Sequence, residues 1–220
     1  MRVLAVDTTT PRGSVAVLSE EAVLAEARVE AVSGHSRWLL PAVDALLAGL
    51  ALEPFALDCF AVTTGPGSFT GLRVGLSSVQ GLALASGRPC VGLSALDVLA
   101  LAAAGCAETV VAVMDAFRHE VYLAVYDGAG GTRVAPRVGG LEPLLEGVPA
   151  GAAFVGDAVA GERPRIAALV PGARFPELDL FLAVPLGRAA LGRAGAGETV
   201  APADLRPVYL RGADIRRPQR

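Results

Sequence analysis

The chain has 220 residues, of which 53% are hydrophobic and 19% are charged, and its formal net charge is -3. This balance predicts a folded chain with a sizeable core, and it excludes a long disordered region and a general, charge-driven affinity for nucleic acid. Every basic residue is arginine, and neither lysine nor asparagine occurs. The chain therefore has no Walker-A lysine, no Schiff-base lysine and no lysine general base.

The cysteines and the hydrophobic pattern bear on the compartment. Cys59, Cys90 and Cys106 lie in or beside apolar segments, which favours small buried side chains over a disulfide framework or a zinc site. The sequence starts with a strand-like segment and shows no signal peptide, and no uncharged apolar run reaches the roughly 18 residues of a membrane-spanning helix. We therefore expect a soluble, cytoplasmic protein.

Strands and helices alternate in the first half of the chain in the order β-β-β-α-β-α-β-α. The pattern predicts strands over residues 3–7, 14–18, 22–29, 57–62 and 89–93, and helices over residues 36–51, 70–86 and 94–104. This order predicts a mixed sheet with helices packed on it.

A glycine-rich segment, residues 63–75, joins the fourth strand to the second helix. Residues 65–67 predict a turn, either Ser68 or Thr70 is positioned to cap the helix, and Gly87 should end it. Each glycine inside the helix costs about 1 kcal/mol relative to alanine, which predicts a close approach by another helix or a ligand, or tight packing within the chain. The glycine turn also predicts an anion site at the start of the helix. The helix glycines are Gly71, Gly75 and Gly81.

The layout of the first half restarts after Gly105. The pattern predicts strands over residues 110–115, 120–126, 132–138 and 153–155, helices over 141–146 and 183–193, and an extended segment over 208–211. A repeated lobe of this kind is typical of the actin, Hsp70 and sugar-kinase architecture. We therefore predict an α/β protein with two actin-like (ribonuclease H-like) lobes, residues 1–104 and 105–220, each a mixed sheet with helices packed on it.

Two acidic residues end equivalent strands of the two lobes. Asp7 and Asp115 should face each other across an inter-lobe cleft, where nucleotide-binding proteins of this architecture hold a metal ion or water beside the phosphates. Such proteins usually have glycine directly after each acid, whereas this chain has threonine after Asp7 and alanine after Asp115. The alternative interpretation is that the two acids only cap turns. The candidate nucleotide-binding residues are Asp7, Thr8, Thr9, Gly65, Gly67 and Asp115.

The histidines do not predict a metal site. His35 and His119 are the only two, and no His-x-x-x-His or His-Glu-x-x-His pattern occurs. We expect His35 to bond locally at the start of its helix and His119 to be solvated. No Gly-x-Ser-x-Gly elbow is present either, which disfavours a serine hydrolase of that type.

Two further segments are candidate interaction surfaces. The helix predicted over residues 36–51 is apolar almost all round, so it is either fully buried or offers a face to a partner. The C-terminal segment is basic and is either solvated or able to contact phosphates. Its arginines are Arg206, Arg211, Arg216, Arg217 and Arg220.

Several segments together resemble the bacterial TsaB family of tRNA threonylcarbamoyladenosine biosynthesis proteins. They are residues 3–9, 35–41, 65–75, 114–122 and 207–211. The resemblance implies a two-lobed, actin-like protein that does not itself catalyse and that forms a homodimer when alone. It implies pairing through the first lobe with a catalytic paralogue, TsaD, and cooperation with an ATPase, TsaE. That complex transfers a threonylcarbamoyl group to the adenosine beside the anticodon of tRNA.

The resemblance also implies roles for residues. The catalytic paralogue carries two metal-ligand histidines in a segment that corresponds to residues 92–99 here, where no histidine occurs. We therefore expect no catalytic residue, no metal and no cofactor of the chain's own, with ATP or ADP possible only at the surface shared with the partner. The residues expected at the partner interface are His35, Leu39, Leu40, Val43, Gly71, Leu72, Arg73, Gly75 and Leu76.

Two other functions compete with this one. An ATP-binding phosphotransferase or ATPase of the actin-like fold would use Asp7, Thr8 and Asp115. A glycoprotease-like hydrolase would need a metal or nucleophile site, which two histidines and no asparagine do not supply.

Overall fold

The computed structural model describes residues 1–30 and 34–210. Its strands are β1 (Arg2–Asp7), β2 (Arg12–Ser19), β3 (Val23–Glu30), β4 (Cys59–Thr63), β5 (Cys90–Leu93), β6 (Thr109–Asp115), β7 (Val121–Asp127), β8 (Thr132–Gly139) and β9 (Ala153–Val155). Its α-helices are α1 (Leu39–Gly49), α2 (Phe69–Ser86), α3 (Ala95–Ala102), α4 (Leu141–Leu145), α5 (Val159–Leu169) and α6 (Ala183–Gly195). Short 3-10 turns occupy His35–Arg37, Pro54–Ala56 and Pro202–Asp204.

Each half of the chain builds one mixed sheet, as the sequence predicts. The first sheet has the strand order β3-β2-β1-β4-β5, with β1 antiparallel to β2 and parallel to β4. The second has the order β8-β7-β6-β9, with β6 antiparallel to β7 and parallel to β9. The central strand of each sheet thus has the same kinds of neighbours, which is the repeat that the sequence indicates.

The helices form three layers around the two sheets. Alternate residues of a strand point to opposite faces, so Leu4 and Val6 of β1 pack with α1 and α2, whereas Val3 and Ala5 pack with α3 and α6. The inner face of the second sheet belongs to the same hydrophobic cluster as Val3, Ala5, α3 and α6. The outer face of that sheet packs with α4 and α5. Helix α6 packs on the first sheet, α3 packs on the second, and the two helices contact each other, so the inner faces of both sheets belong to one apolar cluster.

The C-terminal third of the chain returns to the first sheet. Helix α6 packs against β1 and β2, and Val200 forms a bridge with Cys90 of β5. Further along, the backbone N–H of Val208 donates to the carbonyl of Thr64 at 2.8 Å. The predicted division into residues 1–104 and 105–220 stays a prediction; it separates the two sheets, while α6, Val200 and Val208 of the second part contact the first sheet or the segment that follows it.

Local signals account for most of the elements, and two predictions were wrong. The helix predicted over 36–51 is broken, because a 3-10 turn precedes α1 and Trp38 lies between them. Helix α5 was missed in the sequence. Residues 208–210 belong to no helix or strand and Arg211 lies outside the described residues, so the extended segment predicted over 208–211 stays a prediction. No helix in the described part of the chain is long and apolar enough to cross a membrane.

Candidate functional site

The glycine turn before α2 is closed by the turn that follows β1. The Ser68 hydroxyl caps the helix by accepting from the backbone N–H of Gly71 at 3.2 Å, and the Ser68 N–H donates to the carbonyl of Thr9 at 2.7 Å. The Thr8 hydroxyl donates to the carbonyl of Gly71 at 2.8 Å. A Cβ at Gly67 would overlap the Thr9 carbonyl. The first amides of α2 are therefore partly used within the chain itself.

This packing explains two of the three helix glycines. A Cβ at Gly71 would overlap the carbonyl of Thr8, and one at Gly75 would overlap the Thr8 hydroxyl, whereas Gly81 has open space. Gly71 and Gly75 therefore permit a close approach within the chain, which was one of the alternatives open in the sequence, and their contact with a partner helix stays a prediction.

Asp7 lies beneath this turn rather than in the cleft. Its side chain is completely buried, and Oδ1 accepts from the hydroxyls of Thr63 at 2.6 Å and Thr9 at 2.7 Å and from the Thr9 N–H at 3.1 Å. Its Oδ2 has no hydrogen-bond partner in the described part of the chain. Burial raises the pKa of Asp7, and the bonds from Thr63 and Thr9 oppose that rise. The prediction that Asp7 faces Asp115 is therefore wrong.

A cleft of about 530 Å³ does separate the two lobes. The Asp115 side chain accepts from the Phe117 N–H at 2.7 Å, and the Asp115 N–H donates to Oδ1 of Asp157 at 3.1 Å. Burial raises the pKa of Asp157, and the hydrogen bond from the Asp115 N–H opposes that rise. The cleft is lined by Thr9, Thr10, Pro11, Arg12, Glu30, Gly34, His35, Gly67, Ser68, Thr70, Gly71, Met114, Asp115, Phe117 and Asp157.

The candidate nucleotide residues are therefore divided. Thr9, Gly67 and Asp115 line the cleft, whereas Asp7 and Thr8 are buried below it. Gly65 does not line the cleft either, because a Cβ there would lie 2.7 Å from the Val208 carbonyl of the C-terminal segment. The structure thus brings together only half of the predicted set.

Sequence reasoning missed two residues at the rim of the cleft. Asp157 lies two residues after β9 and Asp115 is the last residue of β6, a similarity that a comparison of strand ends in the sequence would have found. Phe117, Arg118 and His119 have consecutive positive φ angles of 60°, 55° and 63°, an arrangement that is strained for residues with side chains and has no sequence signal. This turn leaves the Phe117 ring 63% exposed beside the cleft.

His35 is an internal anchor. Its Nε2–H donates to the carbonyl of Thr10 at 2.9 Å, and its Nδ1 accepts from the indole N–H of Trp38 at 3.0 Å. Because the indole N–H can only donate, this tautomer is fixed. Burial lowers the pKa of His35, against smaller opposing effects from Thr10 and Asp7. The local role expected for His35 is present, but its side chain is buried and does not form an open surface.

A groove of about 560 Å³ runs between α1 and α2. Leu40 and Phe69 expose 47% and 49% of their surface beside it, and Arg73 is also exposed. The groove is lined by Ser36, Leu39, Leu40, Phe69, Thr70, Arg73, Val74, Ser77 and Ser78.

Burial divides the predicted interface set into exposed and buried residues. Leu40 and Arg73 are exposed, and their contact with a partner stays a prediction. The others pack inside this chain, so they support the surface from below rather than form its exposed part. The buried members are His35, Leu39, Val43, Gly71, Leu72, Gly75 and Leu76.

The remaining predictions concern the C-terminal arginines, His119 and a metal site. Arg206 is exposed and donates to the carbonyl of Leu205 at 3.0 Å, whereas Arg211, Arg216, Arg217 and Arg220 lie outside the described residues. His119 is exposed, as expected. Across residues 1–30 and 34–210, no three His, Cys, Asp or Glu side chains are grouped so as to hold a metal ion.

Comparison with known proteins decides the family. The family model for TsaD, tRNA N6-adenosine threonylcarbamoyltransferase, matches residues 29–168. A TsaB protein from Haemophilus influenzae is 40% identical over 126 residues, or 56% of this chain and 52% of the relative. The solved structure of YeaZ from Pseudomonas aeruginosa is 34% identical, with a TM-score of 0.78 over 94% of this chain and 100% of that one. The chain belongs to the TsaB branch of the TsaD family.

The extent of these matches differs. The alignments span about half the length of the curated TsaB proteins, 52% in the Haemophilus case. The fold extends further than the family: an activator of 2-hydroxyisocaproyl-CoA dehydratase from Clostridium difficile aligns over 95% of this chain with a TM-score of 0.57 at 9% identity. The predicted actin-like fold and the resemblance to TsaB proteins are both confirmed.

Proposed function

We propose that this chain is a non-catalytic accessory subunit of the complex that transfers a threonylcarbamoyl group to the adenosine beside the anticodon of tRNA. It would act by binding the catalytic, TsaD-type paralogue through the first lobe, together with a TsaE-type ATPase, and would form a homodimer when alone. The similarity to TsaB biosynthesis proteins and to the TsaD family model supports the pathway.

The groove between α1 and α2 is the observation that carries the proposal. Leu40 and Phe69 are large apolar side chains, and each leaves nearly half of its surface open beside the same groove. Burying such a pair gains about 25 cal/mol for each Å² of apolar surface removed from water. Exposed apolar patches of this kind mark sites of protein association.

The placement of the polar residues supports an accessory role. Both nitrogens of His35 are already bonded within the chain, and Asp7 is sealed below Thr9. A group that binds substrate or nucleotide has to reach the cleft with a free donor or acceptor. Asp7 does not reach the cleft, and His35 lines it with both ring nitrogens already bonded. If nucleotide takes part, we propose that it binds at the surface shared with the partner. We also propose that the arginine-rich C-terminus contacts tRNA phosphates.

Reconstituted threonylcarbamoyl transfer tests this function. Purified TsaD and TsaE partners from the same source, tRNA and threonylcarbamoyl-adenylate are combined with and without this chain, and the chain is also assayed alone. We expect transfer only when the chain and its partners are present together. Leu40→Asp should abolish the stimulation, because it places a charge on the apolar surface.

A matched control uses the same change elsewhere. Leu101→Asp alters a similarly exposed leucine at the end of α3, away from the groove, and should leave the stimulation intact. Transfer by the chain alone, or full transfer by the partners without it, would contradict the proposal. ATP hydrolysis by the isolated chain would favour the phosphotransferase alternative.

A further inference from the structure

The groove between α1 and α2 is continuous with the C-terminal segment of the chain. The centres of the Tyr209 and Phe69 rings are 5.4 Å apart, and Phe69 lines the groove. The Tyr209 hydroxyl also accepts from Nε of Arg73, another residue of the groove, at 3.5 Å. The described part of the chain therefore ends beside the first turn of α2, and residues 211–220 continue from there.

The surface of the groove has one cation and one anion, on different helices. Arg73 is the only charged residue of α2, and Asp44 is the only one of α1. Both side chains are exposed, and neither forms an ion pair within residues 1–30 and 34–210. Asp44 lies one helical turn after Leu40 on the same side of α1. A segment that crosses the groove would thus meet a cation, an apolar centre and an anion in turn.

The sequence beyond Tyr209 has the complementary groups in the same order. Asp214 is followed by the apolar Ile215 and then by two arginines, Arg216 and Arg217. Packed helices lie about 8–10 Å apart, and three residues of extended chain span about that distance. Asp214 is five residues beyond Tyr209, which allows a reach of about 17 Å. Length and charge therefore both match a segment that returns across the groove.

We propose that residues 211–220 occupy this groove in the free chain and cover it until a partner displaces them. The acid of the segment binds Arg73, its isoleucine packs on the apolar centre, and its arginines bind Asp44. Because the segment belongs to the same chain, its effective concentration at the groove is about millimolar, so weak contacts suffice.

This inference rests on the proposed function in taking the groove as the surface that binds a partner, and it adds the regulation of that surface. A paralogue or a second copy binds only the fraction of chains in which the groove is open, so the segment lowers the apparent affinity for either. Displacing the segment also frees its arginines for the phosphates of tRNA.

Energy transfer in the full-length chain tests the position of the segment. Trp38, the only tryptophan, directly precedes α1 and serves as the donor. A dansyl acceptor is attached to Gln219→Cys in a Cys106→Ser background, since Cys59 and Cys90 are buried. At submicromolar concentration we expect efficient transfer that is lost in urea. Dilution with unlabelled chain should leave the transfer unchanged, because the contact lies within one chain.

A charge exchange tests the pairing. Asp44→Arg should abolish the transfer, and its combination with Arg216→Asp and Arg217→Asp should restore it, because opposite charges again face each other. Asp115→Arg makes the same change in charge at an exposed position in the cleft and should leave the transfer intact. Circular dichroism should show the same folded spectrum for all of these variants.

Affinity for the TsaD-type paralogue tests the competition. Ile215→Asp removes the apolar contact of the segment, so it should tighten paralogue binding at least about threefold in titration calorimetry. Gln219→Asp adds the same charge beyond the pairing residues and should change the affinity little.

Several results would overturn the inference. These are absent transfer in the wild type, transfer that survives Asp44→Arg, loss of transfer on dilution with unlabelled chain, or a paralogue affinity that Ile215→Asp leaves unchanged. Loss of transfer in Asp115→Arg alone would place the segment in the cleft and would also contradict it. The proposed function fails separately, when Leu40→Asp leaves paralogue binding and threonylcarbamoyl transfer intact.

Discussion

The His35 ring connects three segments of the first lobe. It donates to Thr10 after β1, accepts from Trp38 before α1, and lies within 3.2 Å of where a Cβ at Gly71 of α2 would be. The start of α1 thereby has a fixed position relative to α2. Because the groove lies between these helices, the shape of the groove depends on a neutral His35.

Acid should weaken this anchor. A second proton would have to be placed on Nδ1, where the Trp38 N–H already points, and burial lowers the pKa of His35 below its usual value of 6.5. The pKa of His35 is thus lower in the folded chain than in the unfolded chain. The stability that neutral His35 contributes is therefore complete above about pH 6.5, and it is lost as the pH falls through the pKa of the folded state. We predict that the free energy of unfolding, measured with urea, decreases over that range.

A glutamine at this position provides the comparison. His35→Gln keeps one donor and one acceptor but does not titrate, so the difference in stability between the wild type and this variant should shrink as the pH is lowered below 6.5. Asp7, whose pKa is raised, contributes in the opposite direction in both proteins, and its effect largely cancels in the difference. A difference that is constant from pH 7 to pH 5 would refute the role of His35 as a titrating anchor.

Helix α2 offers two glycines with opposite surroundings. A Cβ at Gly75 would overlap the Thr8 hydroxyl, whereas one at Gly81 meets nothing within 4 Å. We predict that Gly75→Ala lowers the free energy of unfolding by about 1–3 kcal/mol, because the Thr8 turn is forced to move. Gly81→Ala should raise it by about 1 kcal/mol, since alanine is the better helix former. Equal effects in thermal or urea denaturation would contradict this packing.

The helices also show how far the sequence predicts the structure. Helix α2 was predicted closely because its signals are local: Ser68 caps its start, and Gly87 has the left-handed conformation at its end. Helix α5 was missed because Gly161 and Pro164 argue against a helix, and only Ile166 of its residues is buried. Its formation depends on contacts with the second sheet, which the local sequence does not encode.

The candidate site was predicted in part for a similar reason. Composition showed that α1 is apolar, but not that Leu39 and Val43 face the sheet while Leu40 faces outward. Likewise, Asp7 is the last residue of its strand just as Asp115 is, yet it is covered by Thr9. Strand ends are visible in the sequence, whereas the packing of a turn over one of them is not.

At the scale of the whole molecule, the two lobes share one core. Helix α3 contacts β6 and β7 of the second sheet, and the Tyr126 hydroxyl of β7 donates to Asp97 of α3 at 2.7 Å. Helix α6, from the end of the chain, packs on the first sheet within the same cluster. Neither sheet can lose its inner layer without exposing the apolar face of the other. We therefore expect the lobes to unfold together.

A substitution in one lobe should then be detected by a probe in the other. Phe154 is completely buried between the second sheet and its outer helices, and the only tryptophan, Trp38, lies in the first lobe. We predict that Phe154→Leu lowers the free energy of unfolding by about 1–2 kcal/mol. The urea midpoint should fall by the same amount whether unfolding is followed by Trp38 fluorescence or by far-UV circular dichroism. Phe117→Leu, the same change at an exposed site of that lobe, should shift neither transition appreciably. If the lobes were independent, Phe154→Leu would leave the fluorescence transition in place and split the dichroism into two steps, because only the second sheet would have been destabilised.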